Sequence, residues 1–398
     1  MTSESRQGAT VIACLFLVLF LGVADSQVIS PLLPGIRSQF SKTSAELGFL
    51  FTGYSLAAGI SVLFWGPLSD LFGCRNGLLA GLLIFGVGAT ICWLSPDFRV
   101  LLLGRVVTGM GASMLSLNSI SYAAGFFPYR SRGWAMGSIV SSYFAALILG
   151  VPVGSWAGDR LGWHAVFGLA VVLSVILVVL VYIFLRPLGS PVREEAGRGM
   201  SLFSSRARAY GRFLRGKETA GGLSASFFAS GGAMGFLAFL GVWLHDAFGV
   251  SGRQIGLVFL ASGCAALLAS PIAGAVSDRI GKRLQFILSS GTFALLLLAL
   301  PRLRWGALLF VVFGAVSMAA AFRQGPMEAL VTELVPPESR GSYIALRNAF
   351  SQLGIALAAS LSGVLFENRG YAAVCALGCF ANLAAAGLMM IAVRRRDL

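Results

Sequence analysis

A single acidic residue stands deep inside the first long apolar segment of the chain. Asp25 lies in the segment 10–33, which holds no other charged side chain. A carboxylate in such surroundings costs several kcal/mol unless it faces a cavity, has a partner or binds a proton. Burial favours its neutral, proton-bound form. Asp25 is therefore a candidate proton-coupling residue, and the alternative is a structural acid hydrogen-bonded to a neighbouring segment.

Other polar and aromatic side chains also fall within apolar segments, where such groups line a cavity or bond one helix to another. The candidates for a substrate cavity are Gln27, Tyr54, Asn118, Phe236, Gln324 and Gln352. Arg323 and Arg347 lie toward segment ends. Each of these arginines either lines the same cavity or only extends its head group to the membrane interface.

Membrane-spanning helices must position these residues, because the composition is that of a membrane protein. Hydrophobic residues make up 57% of the chain and charged residues 12%, whereas soluble domains carry about 25% charged residues. A span needs about 20 mostly apolar residues. Twelve segments qualify: 10–33, 47–69, 76–95, 100–122, 134–157, 163–186, 220–246, 254–274, 284–300, 305–327, 342–366 and 371–393. The sequence predicts an all-α protein of twelve transmembrane helices embedded in a lipid bilayer.

The formal net charge of +14 raises the question of a nucleic-acid partner, but the charge distribution favours topology instead. If the N-terminus is inside, most lysines and arginines fall in inner segments, above all in the stretch 186–217. This positive-inside pattern predicts both termini in the cytoplasm and no nucleic-acid partner. The first segment is too long for a signal peptide and is expected to be retained. With no organelle signal evident, we expect a bacterial cytoplasmic membrane.

An internal repeat divides the chain. The loop sequences 66–75 and 274–283 match, as do positions within 128–133 and 336–341, and both matches have an offset of 208 residues. Two motifs at one ungapped offset predict two homologous six-helix bundles in parallel orientation. The polar segment between them is expected to be a cytoplasmic linker with a short amphipathic helix. The predicted units are 1–186, 187–218 and 219–398.

The motifs resemble those of a known family. The first-half loop, Gly66-x-Leu68-x-Asp70-x-x-Gly73-x-Arg75, together with the repeat, closely resembles the major facilitator superfamily over the whole chain. That resemblance implies a substrate site between the halves and alternating access by rocking of the halves. Three further features look like its twelve-span drug:proton antiporter branch, which includes arabinose-efflux-like permeases: Asp25 followed by Ile29–Pro34, Arg105-x-x-Thr108-Gly109-x-Gly111, and Gly150-Val151-Pro152-Val153-Gly154.

The resemblance implies a proton-coupling role for Arg105, which would pair with a carboxylate or help relay protons. The alternative is an arginine that extends to the interface. The sequence leaves open whether Arg105 meets Asp25. At the repeat offset Asp25 corresponds to Ala233 and Arg105 to Phe313. Because fold requirements should recur in both halves, this asymmetry favours a functional role.

The resemblance also implies an antiporter motif formed by Gly150, Pro152 and Gly154, which would favour efflux and limit leak. This motif is likewise absent from the second half. Physical chemistry alone predicts only that these residues let a helix bend and approach a neighbour closely. Helix packing is therefore the alternative interpretation.

The two repeated loops predict a gate. Asp70 and Asp278 each lie at an inner segment end, where a carboxylate can face the positive N-terminus of a helix in the other half. The alternative is a loop anchor that only sets topology. The predicted gating residues are Gly66, Asp70, Gly73, Arg75, Asp278, Gly281 and Arg283.

Other functional classes lack the residues they require. No Walker A sequence is present, the two histidines show no paired ligand spacing, and the six cysteines are scattered, so we expect no ATP-driven pump, enzyme, catalytic residue, metal site or cofactor. The sequence predicts a monomeric secondary transporter that moves a small-molecule substrate, with efflux in exchange for protons favoured. The alternatives are uptake by proton symport, facilitated diffusion and, more remotely, a solute-sensing receptor on a transporter scaffold.

Overall fold

The computed structural model describes residues 3–188, 199–336 and 339–392, and every regular element in these ranges is helical. Twelve helices are long and apolar enough to cross a membrane, and we number them spans 1 to 12. Their bounds are Gln7–Phe40, Ser44–Gly66, Cys74–Trp93, Phe98–Phe126, Tyr129–Leu161, Trp163–Phe184, Lys217–Phe248, Gly252–Ile280, Lys282–Arg302, Ala307–Val331, Arg340–Arg369 and Tyr371–Ile391. Each predicted segment overlaps one of these spans, which confirms the predicted fold class.

A short helix, Gly199–Arg215, lies between spans 6 and 7, as predicted for the linker. It buries Ala209 and Phe213, and Phe213 packs edge-on against Tyr343 with ring centroids 5.1 Å apart. We call the side of the bundle that carries this helix the linker face, and the opposite side the far face. Part of the predicted linker 187–218 lies outside the described residues, and the three predicted units and the cytoplasmic location of the termini stay predictions.

The internal repeat is visible at both ends of spans 2 and 8. Each begins with a capping box, in which Thr43 or Ser251 accepts a backbone N–H three residues on, from Glu46 or Gln254. The side chain of Glu46 or Gln254 in turn accepts the backbone N–H of Thr43 or Ser251. This reciprocal pairing satisfies N–H groups that have no partner within the first helical turn.

The helix of span 2 continues beyond Gly66 to Phe72, the helix of span 8 ends at Ile280, and each is followed by a glycine in an unusual conformation. Gly73 has φ of 85° and Gly281 has φ of 86°, values that other residues rarely adopt. The Gly73 N–H donates to the Ser69 carbonyl at 2.9 Å, and the Gly281 N–H donates to Ser277 at 3.0 Å. Both repeated loops therefore contain a tight turn at the equivalent glycine.

Two pairs of spans make the most extensive contacts between the first six spans and the last six. Span 2 packs along span 11, where a Cβ added at Gly48 would lie 2.9 Å from the Ala359 carbonyl oxygen. Span 5 packs along span 8, where a Cβ added at Gly256 would lie 3.0 Å from the Cα of Pro152. Small residues let helix backbones approach this closely, and such packing largely replaces hydrophobic attraction within a bilayer.

Candidate functional site

Asp25 and Arg105 form a buried ion pair between spans 1 and 4. Arg105 Nη1 donates to Asp25 Oδ2 at 2.7 Å, and the two side chains are only 1% and 2% exposed for Arg105 and Asp25. The pair neutralises two charges that would each be costly alone in these surroundings. The structure thus brings together two residues whose contact the sequence left open, and the interface position considered for Arg105 was wrong.

Tyr54 of span 2 completes this site. Its ring lies under the Arg105 guanidinium, whose carbon is 4.5 Å from the ring centroid. Desolvated cation–π contacts of this kind contribute about 2 kcal/mol. The Nε of Arg105 is buried and has no hydrogen-bond partner among the described residues. The charge of Arg105 is therefore stabilised mainly by Asp25 and Tyr54. A change in the charge of Asp25 would directly alter the interaction between spans 1 and 4.

The glycines of span 5 pack against the part of span 1 that carries Asp25. A Cβ added at Gly150 would lie 2.7 Å from the Cβ of Ala24, and one at Gly154 would lie 2.5 Å from Val28. Side chains at these two positions would push the two spans apart, so the close approach predicted for the motif is present. Span 5 thereby holds the backbone on both sides of Asp25.

Pro152 follows a π-helical turn, Ala146–Gly150, inside span 5. A proline lacks the N–H and its ring crowds the carbonyl four residues earlier, and a π-helical turn is one way in which a helix accommodates such a residue. The opposite side of this region contacts span 8, since Pro152 and Ser155 face Gly256. Span 5 is thus in contact with both Asp25's helix and the other half of the molecule.

Polar contacts between the halves gather at the far face. Arg37 of span 1 donates to Asp246 of span 7 at 2.8 Å. Asp159, at the end of span 5, accepts the backbone N–H groups of Gly252 and Arg253 at 3.0 and 2.6 Å. A carboxylate at a helix N-terminus is favoured by the helix dipole.

Two further contacts continue this far-face set. Glu367 accepts the backbone N–H of Ser44 at 2.7 Å. Ser30 donates to the Leu237 carbonyl at 2.7 Å and accepts the Gly241 N–H at 3.2 Å, on either side of the break in span 7 at Phe239. Sequence reasoning missed the charged members of this set, because residues this far apart in the chain carry no local signal.

Toward the linker face the two halves separate. The part of span 5 nearest this face, Tyr129–Val140, packs on spans 1 and 4 rather than on the last six spans. A Cβ added at Gly274 of span 8 would meet nothing within 4 Å. The polar contacts described between the halves are therefore concentrated at the far face.

The repeated loops do not bridge the halves through their arginines. Arg75 donates to the Tyr182 carbonyl at 2.8 Å and lies over its ring, while Arg283 donates to the Met390 carbonyl at 2.6 Å. Each arginine thus caps the end of span 6 or span 12 within its own half, where a cation also complements the helix dipole. Asp278 is exposed without a hydrogen bond or ion pair among the described residues.

These observations make the loop arginines anchors in this conformation rather than the gate contacts that were predicted. The side chain of Asp70 lies outside the described residues. At Gly66 an added Cβ would lie 2.7 Å from Arg206 Nη1 of the linker helix, so the linker helix packs directly on this end of span 2. The counterpart Gly274 has no such neighbour.

Comparison with known proteins places this architecture in a family. The family model described as Major Facilitator Superfamily matches residues 15–240 and 222–397. The chain belongs to the major facilitator superfamily. The transporter is similar to the uncharacterized MFS-type transporter YwfA of Bacillus subtilis (strain 168), with 29% identity covering 90% of this chain and 87% of that protein. It is also similar to the multidrug resistance protein Stp of Mycobacterium tuberculosis (strain CDC 1551 / Oshkosh), with 24% identity covering 87% and 75%.

Solved structures show the same fold. A crystal structure of a D-xylose-proton symporter superposes with a TM-score of 0.80 at 17% identity, covering 97% of this chain and 98% of that one. The inward open conformation of the xylose transporter XylE from E. coli gives 0.76 at 18% identity, covering 96% and 95%. The family match and the twelve apolar spans make this chain a multi-pass cell-membrane protein and a secondary transporter of a small molecule, and its relatives are transporters rather than enzymes.

The predicted cavity residues of the transporter divide into two groups. Asn118 is 1% exposed, donates to the Met114 carbonyl at 2.9 Å and bonds Ser69 of span 2. It borders a cleft of about 180 Å³ between spans 2, 3 and 4, which is away from the surface between the halves. Phe236 is 4% exposed and packs edge-on against Phe293 at 5.8 Å. These two residues serve packing in this conformation, as intramembrane amides and aromatics often do.

The other predicted cavity residues lie nearer the surface between the halves. Gln27 donates across it to the Sδ of Met234 at 3.8 Å, and Gln352 packs on Gly59. Gln324 is exposed on span 10. Tyr54 belongs to the Asp25 site described above.

The repeat positions equivalent to the ion pair confirm its asymmetry. Phe313, the counterpart of Arg105, lies in an aromatic cluster with Phe236 and Phe259, each with its ring centroid 6.3 Å from that of Phe313. In the second half, apolar side chains thus occupy the position that the charged pair occupies in the first half. The fold therefore does not require charges at these positions.

Arg323 of span 10 is a second buried cation. It is 6% exposed and donates to the Ala229 carbonyl at 3.0 Å and to Asn382 Oδ1 at 2.5 Å, with the Phe293 ring 5.2 Å away. The interface position considered for Arg323 was therefore wrong. No carboxylate pairs with Arg323 among the described residues. Its charge is stabilised instead by the two oxygen acceptors and by the face of the Phe293 ring.

A further carboxylate–arginine pair joins spans 10 and 11 within the second half, and its glutamate was missed by sequence reasoning. Glu328 of span 10 pairs with Arg347 of span 11, and Arg347 also donates to Asn348 Oδ1 at 2.8 Å. The predicted segment ended at residue 327, which left Glu328 in a loop, whereas the helix continues to Glu333. An acid one residue past an apolar segment was the signal that could have revealed it.

Proposed function

We propose that this transporter exports a small solute in exchange for protons and that Asp25 is the proton-coupling residue. The observation that carries the proposal is the buried Asp25–Arg105 pair. We assign the described conformation to the proton-free form of Asp25, because its Oδ2 accepts the Arg105 guanidinium at 2.7 Å. An intramembrane acid with a named partner is a functional site by default.

Protonation of Asp25 removes the charge that holds Arg105. The guanidinium then keeps its contact with Tyr54 but loses its ionic partner, which changes the interaction between spans 1 and 4. Because the glycines of span 5 pack on the same part of span 1, the change reaches the span that contacts span 8. This chain of contacts supports coupling between the proton site and the movement of the halves.

Topology and relatives support the proposed direction of transport. The linker face carries the four arginines of the linker helix, Arg206, Arg208, Arg212 and Arg215, so the positive-inside rule supports a cytoplasmic linker face. In this orientation the described conformation loads solute from the cytoplasm while Asp25 is unprotonated, which is the order that antiport requires. Similarity to a multidrug resistance protein over 87% of the chain also favours efflux. Since one chain holds both sets of six spans, we propose a monomer.

Uptake by proton symport is the second candidate, favoured by the shared fold with a D-xylose-proton symporter. Facilitated diffusion without proton movement is the third. In symport, solute and protons move in the same direction, and in facilitated diffusion solute moves without protons. Measuring both fluxes therefore distinguishes these two mechanisms from antiport.

The test uses purified protein in liposomes that contain a pH-sensitive dye. A proton gradient is imposed, and a panel of amphipathic drugs, sugars and amino acids is screened for solute-induced proton movement. We expect proton movement opposite to solute movement in the wild type and its loss in Asp25→Asn. Glu218→Gln is the matched control, because Glu218 is an exposed carboxylate at the start of span 7.

Three results would contradict the antiport mechanism. Proton and solute moving in the same direction would establish symport. Solute flux without proton movement, unchanged in Asp25→Asn, would establish a facilitator whose Asp25 is structural. Equal loss of coupling in Glu218→Gln would show that the effect is not specific to Asp25.

A further inference from the structure

A cleft lies at the linker-face ends of spans 1 and 6 of the transporter. It has a volume of about 360 Å³ and is lined by Gln7, Thr10, Ile183, Phe184 and Arg186. The first two residues lie near the start of span 1, and the other three lie at the end of span 6 or just beyond it. The cleft therefore belongs to the first half alone, and none of its lining residues takes part in the proton site described above. We call it the span 1–6 cleft.

The span 1–6 cleft has a polar part and an apolar part. Gln7, Thr10 and Arg186 contribute an amide, a hydroxyl and a guanidinium. Ile183 and Phe184 are 62% and 45% exposed in the last turn of the span, and apolar side chains this exposed on a membrane helix contact lipid. Arg186 lies two residues beyond the end of the span. The cleft thus lies where the hydrocarbon of the bilayer meets its polar headgroups.

Two arginines at this end of span 6 have no carboxylate partner among the described residues. Arg75 donates to the Tyr182 carbonyl at 2.8 Å. Arg186 is exposed, and its backbone is held in place because Tyr122 donates to its carbonyl at 2.9 Å. The described part of the chain therefore offers an anchored positive charge to the cleft and no acid that neutralises it.

We propose that the span 1–6 cleft binds the headgroup of an anionic phospholipid from the leaflet at the linker face. The Arg186 guanidinium would contact the phosphate, because a planar guanidinium donates two parallel hydrogen bonds to phosphate oxygens. Gln7 and Thr10 would hydrogen-bond the polar groups of the headgroup. The acyl chains would lie along Ile183 and Phe184. A soluble phosphate ester would leave these apolar side chains without a partner, so the ligand is a lipid.

Charge favours a headgroup with a net negative charge over a zwitterionic one. The amine of a zwitterionic headgroup would find no carboxylate among the residues that line the cleft. It would instead meet the positive charges of Arg186 and of Arg75, which is held at Tyr182, next to the lining residue Ile183. Lysine and arginine side chains near a membrane surface attract anionic lipids in the same way. A bound lipid would bridge spans 1 and 6 at the linker face.

The test is native mass spectrometry of the delipidated full-length protein, released from detergent micelles. The probes are phosphatidylglycerol, phosphatidylcholine with the same acyl chains, and glycerophosphoglycerol, which is the anionic headgroup without acyl chains. We expect the first phosphatidylglycerol to bind about tenfold or more tightly than phosphatidylcholine, a difference of about 1.4 kcal/mol or more. A large excess of glycerophosphoglycerol should leave that lipid bound.

Variants assign the binding to the span 1–6 cleft. We expect Arg186→Gln to weaken binding of the first phosphatidylglycerol about tenfold and Arg186→Lys to restore part of it. Arg279→Gln is the matched control, because Arg279 is an exposed arginine at the linker-face end of span 8. Gln7→Leu supplies a second variant in case the charge change impairs folding, with a loss of about fivefold expected for one hydrogen bond.

Four outcomes would overturn the inference. Phosphatidylcholine that binds as tightly as phosphatidylglycerol would contradict selection of a negative headgroup. Displacement of the lipid by glycerophosphoglycerol would assign the cleft to a soluble phosphate ester. Equal weakening in Arg186→Gln and Arg279→Gln would show that binding follows the total charge of the linker face. Phosphatidylglycerol binding that is unchanged in both Arg186→Gln and Gln7→Leu would place the lipid elsewhere on the protein.

Discussion

Removing the Asp25 carboxylate should destabilise the transporter strongly, because it leaves the Arg105 charge buried without an ionic partner. The Arg105 side chain is 1% exposed, so water cannot replace the lost partner without rearrangement of spans 1, 2 and 4. Breaking a buried pair from one side costs about 3–5 kcal/mol, whereas replacing both partners by apolar residues is often neutral. We expect Asp25→Ala to cost about 3–5 kcal/mol and Asp25→Ala/Arg105→Met to recover much of that loss.

The chain supplies its own reporter for this measurement. Cys14, Cys92, Cys375 and Cys379 are buried thiols that form no disulfide. A thiol-reactive fluorophore therefore reports heat unfolding of the detergent-purified protein. The four proteins of the cycle are wild type, the two single variants and the double variant, with Glu218→Ala as an exposed-carboxylate control.

The test is the order of the unfolding temperatures of the four proteins. The wild type should unfold last, the double variant next, and Asp25→Ala first, with a coupling of about 1–3 kcal/mol between the two positions. A double variant whose loss equals the sum of the single losses would show that the two charges do not stabilise one another. An Asp25→Ala protein that unfolds like wild type would refute the argument from burial altogether.

Three further outcomes follow from other contacts. Gly73→Ala and Gly281→Ala should each lower the free energy of unfolding by about 1–3 kcal/mol, because both positions have positive φ that other residues adopt only under strain; a loss at one position alone would contradict their equivalence. Asp159→Asn should weaken closure at the far face about two- to fivefold, which corresponds to about 0.3–1 kcal/mol for a charge at a helix N-terminus, and distances between spin labels on spans 5 and 8 would measure the shift. Asn382→Ala should cost about 1.5–3 kcal/mol, the value of a hydrogen bond to a charged group, since it removes an acceptor of Arg323; an unchanged unfolding midpoint would show that Arg323 finds another partner.

The twelve spans and the repeated turns could be predicted because their causes are local. A span requires only a sufficiently long apolar run, and a turn with positive φ requires glycine at one position, as at Gly73 and Gly281. The asymmetry of Asp25 and Arg105 within the repeat was also readable, and it singled out the two residues that the structure brings together. What the sequence lacked was their distance, because that depends on how spans 1 and 4 pack.

The contacts between the halves could not be predicted, because each joins residues far apart in the chain. Asp159 meets the N-terminus of span 8, and nothing in either local sequence specifies the other. The sequence analysis predicts Asn118 as a cavity residue because it is a polar side chain within a span. Polar side chains within spans also form hydrogen bonds between helices, as Asn118 does with Ser69. Glu328 was missed because the predicted segment ends at residue 327, whereas the helix continues to Glu333. Segment ends are the least reliable part of any sequence-based assignment.

The Asp25–Arg105 pair is suited to a proton rather than to a solute. Both side chains are sealed between helices of one half, where a proton can reach a carboxylate but a solute has no room. Span 5 contacts this site through the glycines that pack beside Asp25, and it contacts span 8 of the other half through Pro152 and Ser155. Under the proposed function, span 5 is therefore the element through which protonation of Asp25 affects the other half. A bulky residue at Gly150 should uncouple solute flux from proton flux in the liposome assay, and a flux ratio equal to that of the wild type would contradict this role of span 5.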